Sequence, residues 1–238
     1  MIKRMIKEKV GMFSLISALA LLVGVSDISA VSGGLRGKTV IFPQQSSNSY
    51  MRLLPNNFPE LSAFTLCMRS ATELTRSHAT ISYATPESDN QILFWAPETK
   101  GFNLYLMTSE AIFQLPEAGS LHRHLCVSWE SETGYAIVWV DGKRSLAKTL
   151  WQGHRVKGGG VIILGQDQDE VEGGFDADQS FVGQISQVNL WDRALGDREV
   201  AEVMRGCLCS GGNVIDWSTV DFETTGAVEI TADPECEL

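Results

Sequence analysis

The sequence lacks the motifs that mark many intracellular enzymes and nucleic-acid-binding proteins. Its five cysteines include no Cys-x-x-Cys pair, which argues against a zinc site. It also has no phosphate-binding loop, no dinucleotide-binding glycine pattern and no Ser-His-Asp order. Lysine and arginine are scarce, 19 against 29 aspartates and glutamates, and the net charge is −10. Because binding to a phosphate backbone depends on stripes of basic residues, we do not expect nucleic acid as the primary ligand.

The chain also lacks an apolar run of the usual membrane-spanning length. The run at residues 11–25 falls short of the roughly 20 residues that a spanning helix needs. It follows a basic start and precedes a small-residue stretch at 26–30, which is the order of a secretory signal peptide. We therefore expect a signal peptide at 1–30 with cleavage after Ala30, no membrane span, and a secreted mature domain at 31–238.

Secretion places the cysteines in an oxidising compartment, where disulfide bonds are expected before metal binding. The five cysteines are Cys67, Cys126, Cys207, Cys209 and Cys236. An odd number leaves one thiol free or available to another chain. No Asn-x-Ser/Thr sequence occurs, so N-glycosylation is not expected.

Short apolar segments follow one another along the mature chain and predict β-strands. Most have about four to eight residues, are rich in β-branched and aromatic types, and end at turn-forming residues. Asp141-Gly142 between two such segments predicts a tight hairpin. Apolar residues at i, i+3 and i+4 predict one helix at 196–206. We expect an all-β fold, a two-sheet antiparallel sandwich with one short helix packed on a sheet and a weakly patterned tail at about 214–238.

The densest charge cluster is the stretch GQDQDEVEGGFDADQ at residues 165–179. It contains six carboxylates and no lysine or arginine, so it repels itself unless it is hydrated or binds a cation. An EF-hand fits poorly, because Val171 stands where a third oxygen ligand is needed. The residues alone leave open whether the stretch is a hydrated acidic loop or half of a metal site.

An enzyme is the alternative interpretation of the same stretch. If the stretch were a strand, Asp167 and Asp169 would lie on one face. They could then serve as the two acids of a jelly-roll glycoside hydrolase, whose carboxyl groups stand about 5 Å apart. Against this, the stretch runs into Gly173-Gly174, as a loop does.

The stretch HLCVSWES at 124–131 resembles the signature octapeptide of the pentraxins, the family of C-reactive protein and serum amyloid P component. Other blocks extend the resemblance, in order, over nearly the whole mature chain: TVIFP, SYAT with DN-QIL, WVDGK, IILGQ, QSFVG and VNLWD. The resemblance implies a lectin-like jelly roll with a disulfide between Cys67 and Cys126. Outside this pattern, we expect Cys236 to pair with Cys207 or Cys209, leaving one cysteine for an inter-subunit bond or as a buried thiol.

The resemblance also implies two calcium ions per protomer, held on one face by carboxylate, amide and main-chain oxygens. The residues that match the first ion's ligands are Asp89, Asn90, Asp167, Gln168 through its main-chain carbonyl, and Asp169. Asp167 and Asp169 are expected to bridge to the second ion, which Asp176 and Gln179 complete. Positions 167 and 176 are often Glu in the family, so the shorter Asp side chains predict a weaker second site.

A ligand pocket beside the ions is implied by Phe94, Tyr105 and Glu110. Phe94 matches the family's phenylalanine and Glu110 its glutamate, whereas Tyr105 takes the place of a small threonine. A tyrosine ring there would fill the hollow that accepts choline methyl groups, so a smaller ammonium, as in phosphoethanolamine, should fit better. The residues themselves also allow a plain strand with one aromatic side chain on each face.

The function that the resemblance implies is calcium-dependent pattern recognition rather than catalysis. The expected ligands are phosphorylated head groups or polysaccharides on microbes and damaged cells. Ring assembly, commonly of five protomers, would turn weak single sites into avid binding. The other face of the ring would bind complement components or receptors.

Overall fold

The computed structural model describes residues 29–31, 33–98, 101–116, 119–206 and 211–233. Cys207, Cys209 and Cys236 lie outside these residues, as does most of the expected signal peptide. The described residues form one α-helix, α1 (Asp197–Arg205), and a 3-10 turn at Ala177–Gln179. The strands are β1 (Ser29–Val31), β2 (Lys38–Phe42), β3 (Tyr50–Leu54), β4 (Ala63–Ala71), β5 (His78–Thr85), β6 (Ser88–Ala96), β7 (Phe102–Leu106), β8 (Ser109–Phe113), β9 (Arg123–Glu130), β10 (Tyr135–Val140), β11 (Lys143–Arg144), β12 (Lys148–Thr149), β13 (Val161–Leu164), β14 (Gly183–Trp191), β15 (Asp221–Thr225) and β16 (Glu229–Ala232).

The strands form two antiparallel sheets, which confirms the predicted fold class. The first, here called the site sheet, has the order β1-β15-β3-β13-β5-β6-β7-β8. The second, here called the helix sheet, has the order β11-β10-β9-β4-β14-β2-β16, with β12 also paired to β10. In the described part of the chain no helix is long and apolar enough to cross a membrane.

The core lies between the two sheets and follows from alternation along each strand. In β4 the side chains of Phe64, Leu66 and Met68 point inward and are almost completely buried. Trp129 of β9 joins them, and its ring nitrogen donates a hydrogen bond to the carbonyl oxygen of Leu150 at 2.8 Å. That hydrogen bond removes the desolvation cost of burying a polar atom in the core.

The predicted hairpin and helix are both present. Asp141 and Gly142 have φ values of 49° and 74°, the positive values that a tight two-residue hairpin turn requires. Helix α1 begins after Gly196, whose amide donates to the Glu199 carboxylate at 2.9 Å. It buries Val200 against the outer face of the helix sheet.

The predicted disulfide between Cys67 and Cys126 is confirmed. The two cysteines are directly opposed on β4 and β9, with Cα atoms 4.0 Å apart, and the bond lies beneath α1. It closes a loop across 59 positions of the sequence.

Several strands lie outside the apolar segments that the sequence predicts, among them β3, β15 and β16. β3 lies between β13 and β15 in the site sheet, although the sequence YMRLL is not one of those segments. The weakly patterned tail supplies β15 and β16, whose sequences DFETT and EITA are short and partly charged. Both strands are held by pairing with strands about 170 to 190 residues away, so local pattern alone did not indicate them.

His124 predicts a loss of stability in acid. Burial lowers its pKa from 6.5 to about 4, and the nearby Arg69 charge acts in the same direction. The neutral ring therefore stabilises the fold fully above about pH 6.5, and this contribution is lost as the pH falls towards 4. Between these pH values we expect wild type to lose up to about 3 kcal/mol more unfolding free energy than His124→Gln, as measured by urea titrations. Equal slopes for wild type and His124→Gln would contradict the prediction.

Candidate metal centre and ligand face

The acidic stretch is a loop that leaves the end of β13 and is held down by two buried glutamines. Gln168 Nε2 donates to the carbonyl oxygens of Ser82 and Val161, both at 3.1 Å, while its Oε1 accepts from the Glu172 amide at 2.9 Å. Gln166 Nε2 likewise donates to two main-chain oxygens of the loop before β3. Because the Gln168 side chain is fully used as scaffold, its main-chain carbonyl is the oxygen that suits the predicted ligand role.

Gly174 allows the loop to turn back on itself. It has φ of 71°, and a Cβ atom there would lie 2.7 Å from Cβ of Asp169. The chain then enters the 3-10 turn, where the Asp176 carboxylate accepts from the Asp178 amide at 2.9 Å. After the turn the Phe181 amide donates to the carbonyl oxygen of Gly165 at 2.9 Å, and the charge of Asp176 acts on Asp169, so the loop returns to its own beginning.

The other predicted ligands, Asp89 and Asn90, lie at the start of β6. The main-chain oxygen of Asn90 accepts a 2.6 Å hydrogen bond from the Met107 amide, which ties this end of β6 to the turn between β7 and β8. The Asn90 amide donates to Ser88 Oγ at 3.1 Å. In the site sheet β6 and β13 flank β5, and the charge of Asp89 acts on both Asp167 and Asp169 of the acidic loop.

Three of the predicted ligands have buried oxygens that accept no hydrogen bond within the described part of the chain. They are Asn90 Oδ1, Asp167 Oδ1 and Gln179 Oε1. A buried acceptor without a donor costs about 1–3 kcal/mol, and a bound cation would remove that cost. Carboxylate and amide oxygens are the donor atoms that calcium prefers.

The charges of the acidic loop also favour a bound cation. Burial raises the pKa of Asp167 to about 7, and the charges of Asp169 and Asp89 add to the effect. The pKa of Asp169 is also raised, by burial and then by Asp89 and Asp176. Four predicted ligand carboxylates thus act on one another, and a bound cation would relieve the repulsion.

Two other acids of the stretch have protein partners instead. Glu172 forms an ion pair with Arg52 at 2.7 Å, and Asp178 Oδ1 accepts from Gln45 Nε2 at 2.7 Å. Among the described residues, no basic group lies within 4.0 Å of the four predicted ligand carboxylates. The stretch therefore contains acids with protein partners, acids left for a cation, and Glu170, which is exposed to solvent.

Among the described residues, one group of three His, Cys, Asp or Glu side chains has all its donor atoms within 4.8 Å of one another. It consists of Cys67, His124 and Cys126. The two sulfurs of that group are joined in the disulfide, so it is not a metal site. The predicted carboxylates are spread more widely, and the amide and main-chain oxygens between them are needed to complete a coordination shell. That composition suits calcium better than zinc.

The structure contradicts the predicted place of Phe94. Its side chain is completely buried in the core, at a ring-centroid distance of 5.1 Å from Phe102. Alternation along β6 instead brings Leu93 and Trp95 to the outer face, opposite Tyr105 and Asn103 of β7. Trp95 is thus the aromatic side chain on the ligand face, and the sequence analysis missed it.

Tyr105 and Glu110 do lie on that outer face, directly opposed on β7 and β8. Glu110 is exposed, and Asn103 Nδ2 donates to its carboxylate at 2.7 Å. Burial raises the pKa of Tyr105, with further contributions from Glu110 and from the Asp167 charge. The effect of Asp167 on Tyr105 indicates that the ligand face borders the acidic loop.

Asp167 and Asp169 do not lie on a strand. β13 ends at Leu164, and both residues follow it in the loop. The strand alternation on which the hydrolase interpretation depends is therefore absent.

The chain resembles known proteins both in sequence and in fold. A model described as "Pentaxin family" matches residues 38–232. C-reactive protein of Danio rerio is 41% identical over 204 residues, covering 84% of this chain and 90% of that protein. C-reactive protein of Homo sapiens is 38% identical over 224 residues, covering 93% of this chain and 96% of that protein. A native heptameric SAP-like pentraxin from Limulus polyphemus has the same fold, with a TM-score of 0.79, 24% identity, and coverage of 86% of this chain and 99% of that one.

Proposed function

Because the chain belongs to the pentraxin family, we propose that it is a secreted, calcium-dependent recognition protein without catalytic activity. Its ligands are phosphorylated head groups or polysaccharides on microbes and damaged cells. The observation that carries the proposal is the set of buried, unpartnered oxygens of Asn90, Asp167 and Gln179 beside an outer face bearing Tyr105 and Glu110.

Two neighbouring groups of residues would bind the ligand: the calcium ligands and the outer face of the site sheet. Asp89, Asn90, Asp167, Gln168, Asp169, Asp176 and Gln179 would hold two calcium ions. Four of these are carboxylates, so four negative charges meet four positive ones, and an anionic phosphate can approach without net repulsion. The calcium supplies an open coordination position for a phosphate or sugar oxygen.

The outer face next to the ions sets which head groups fit. Glu110 faces the cationic end of a head group, and Asn103 holds its carboxylate in place through the 2.7 Å hydrogen bond. Tyr105 lies opposite Leu93 and fills the space that a bulky trimethylammonium would need. A primary ammonium is smaller and carries N–H donors, so phosphoethanolamine is the better fit.

Secretion agrees with the buried disulfide, since such bonds persist in oxidising compartments. Removal of residues 1–30 would leave only Val31 of β1, and β15 would then become the edge strand of the site sheet. We expect amino-terminal sequencing of the secreted protein to begin at Val31.

Ring assembly completes the proposal. Each protomer would present its calcium face on the same side of a ring, commonly of five subunits, and the opposite side would bind complement components or receptors. Joining several weak sites raises avidity by about 10²–10⁴-fold without any new contact.

The test of this function is retention on phosphoethanolamine and phosphocholine resins in calcium, followed by elution with EDTA. We expect capture on phosphoethanolamine that EDTA reverses, and no turnover of glycoside substrates. Absence of calcium-dependent capture on either resin and on polysaccharide would contradict the proposal.

Head-group preference depends on Tyr105 in a way that one substitution can measure. We expect Tyr105→Thr to open the space over Leu93 and to raise phosphocholine affinity by about tenfold relative to phosphoethanolamine, which corresponds to about 1.4 kcal/mol. Competition of the soluble head groups for resin-bound protein gives the ratio. Tyr135→Thr serves as control, because Tyr135 is exposed on the helix sheet. An unchanged ratio in Tyr105→Thr would show that the ring does not select the head group.

A further inference from the structure

The ligand face carries apolar side chains that the proposed calcium site does not use. Ile112 on β8 is 51% exposed, and Val171 in the acidic loop is 39% exposed. Trp95 on β6 is half-buried on the same outer face. Exposed apolar side chains grouped around a binding face are typical of contact with a second protein or with lipid.

The acidic loop places Val171 on the outer side of the site sheet. Ser82 points outward from β5, because its neighbours in that strand point into the core. Its Oγ donates to the carbonyl oxygen of Gln166 at 2.9 Å, which holds the start of the loop on that side. Glu172 then pairs with Arg52 of β3 at 2.7 Å. Val171, next to Glu172, therefore belongs to the same face as the predicted ions.

The other two apolar side chains share one row across neighbouring strands. Trp95 is directly opposite Asn103 of β7, and Asn103 is opposite Ile112 of β8. The adjacent row contains Tyr105 and Glu110, two residues along the strands and so about 7 Å nearer to the start of β6. Trp95 and Ile112 therefore lie beyond the head-group pocket as seen from the ions.

The predicted calcium ligands lie between two apolar points of one face. The acidic loop follows β13, and Ile112 is on β8, four strands further along the site sheet. β6, which carries Asp89 and Asn90 at its start, lies between them. At about 4.8 Å per strand, β13 and β8 are about 19 Å apart. A single head group is too small to cover that width, whereas the surface of a lipid bilayer covers it.

The aromatic side chains of this face have the chemistry of a membrane–water boundary. The ring nitrogen of Trp95 donates to no acceptor in the part of the chain that the structure describes. Trp and Tyr combine an apolar ring with one polar group, and both are enriched where a bilayer meets water. Aliphatic side chains such as Ile112 and Val171 are buried at that boundary when an apolar face lies on a membrane.

The charges of the face decide which lipid fits. Glu110 and Glu170 are exposed and form no ion pair among the described residues. Both would repel an anionic lipid, whereas the ammonium group of an ethanolamine lipid would pair with them. Glu172 beside Val171 is already compensated by Arg52. A zwitterionic ethanolamine phospholipid therefore matches the face better than an anionic one.

We propose that the calcium-loaded ligand face docks onto a bilayer rich in phosphatidylethanolamine, with Trp95, Ile112 and Val171 entering the boundary between head groups and acyl chains. The inference rests on the proposed function, because the ions hold the lipid phosphate. Each protomer of a ring would contribute the same three side chains, so weak single contacts would add up to avid binding.

The test is co-sedimentation of the full secreted protein with vesicles of equal parts phosphatidylethanolamine and phosphatidylcholine, in calcium and in EDTA. We expect Ile112→Ser/Val171→Ser to weaken calcium-dependent vesicle binding by at least about tenfold, because it removes apolar area that the bilayer buries. The same variant should keep wild-type capture on phosphoethanolamine resin. Leu146→Ser/Ile230→Ser is the matched control, since both side chains are exposed on the helix sheet, and it should bind vesicles as wild type does.

The two assays separate failure of this inference from failure of the proposed function. Capture of wild type on the resin without sedimentation on vesicles would overturn the docking and leave the proposed function standing. Unchanged vesicle binding by Ile112→Ser/Val171→Ser, or equal losses on resin and vesicles, would also overturn it. Stronger binding when phosphatidylglycerol replaces phosphatidylethanolamine would overturn the assigned lipid. Absence of calcium-dependent binding in both assays would contradict both proposals.

A contact quencher tests insertion directly. Bromine atoms on the lipid acyl chains quench the fluorescence of a tryptophan that reaches them. We expect brominated vesicles to quench wild type in calcium but not in EDTA, and to quench Trp95→Phe much less. Calcium-dependent sedimentation without quenching would show that the head groups alone are bound, and would contradict insertion.

Discussion

Replacing Asp167 by Asn is expected to abolish calcium-dependent capture of ligand. Asp167 is the predicted bridging carboxylate, it is 7% exposed, and one of its oxygens has no donor among the described residues. Loss of a charge shared by two ions should weaken calcium binding by about 100-fold or more, because affinity follows the number of charged ligands. Retention on phosphoethanolamine resin across a calcium series measures the effect.

The same substitution should act in the opposite direction on the calcium-free protein. Without an ion, Asp167 is a buried charge beside Asp169 and Asp89, so Asn at this position removes repulsion and desolvation. We expect a higher unfolding midpoint than wild type in EDTA and a smaller gain on adding calcium. Glu170→Gln, in an exposed position of the same loop, is the control and should behave as wild type. If Asp167→Asn keeps EDTA-sensitive capture, the assigned bridge is wrong.

Removing the disulfide is expected to have the largest effect on stability. The Cys67–Cys126 bond spans 59 positions, and restricting a loop of that length in the unfolded chain is worth about 4 kcal/mol in the loop-entropy model. We expect the double variant Cys67→Ala/Cys126→Ala to lose about 4 kcal/mol or more of unfolding free energy in urea titrations, since both sites are also completely buried beneath α1.

Reduction of the wild-type protein provides the internal control for this loss. A thiol reductant should lower the stability of wild type by about 4 kcal/mol more than that of the double variant, which keeps only the bond expected for Cys236. A loss below about 1 kcal/mol would show that packing of β4 against β9, rather than the covalent link, determines the stability of this region.

The fold could be predicted from local features because most strands carry their own signal. β10 reads YAIVWV and is followed by the Asp141-Gly142 turn, and α1 carries its apolar face and its stop at Gly206 within eleven residues. β15 and β16 could not be predicted this way. They are strands because β3 and β2 offer them partners, which is a property of the assembled sheet.

The candidate site, like the fold, could be predicted only in part from the sequence. The predicted metal ligands come from the family resemblance, and calcium binding by them stays a prediction. The place of Phe94 could not be predicted, because a shift of one residue in a strand moves every side chain to the other face. Trp95 and Phe94 are neighbours in sequence, and their burial in the folded sheet shows which of them faces outward: Phe94 is completely buried, whereas Trp95 is half-buried. The ion pair of Glu172 with Arg52 likewise joins residues far apart in the chain.

The most direct test of the account is a calcium titration of the purified secreted protein by calorimetry. We expect two ions per chain, with the second weaker because Asp167 and Asp176 are shorter ligands than the family's usual Glu. Saturation is expected within the calcium range of extracellular modules, about 10⁻⁴–10⁻³ M. If no calcium binds over that range, the unpartnered oxygens of Asn90, Asp167 and Gln179 do not form a metal site, and the proposed mode of recognition is contradicted.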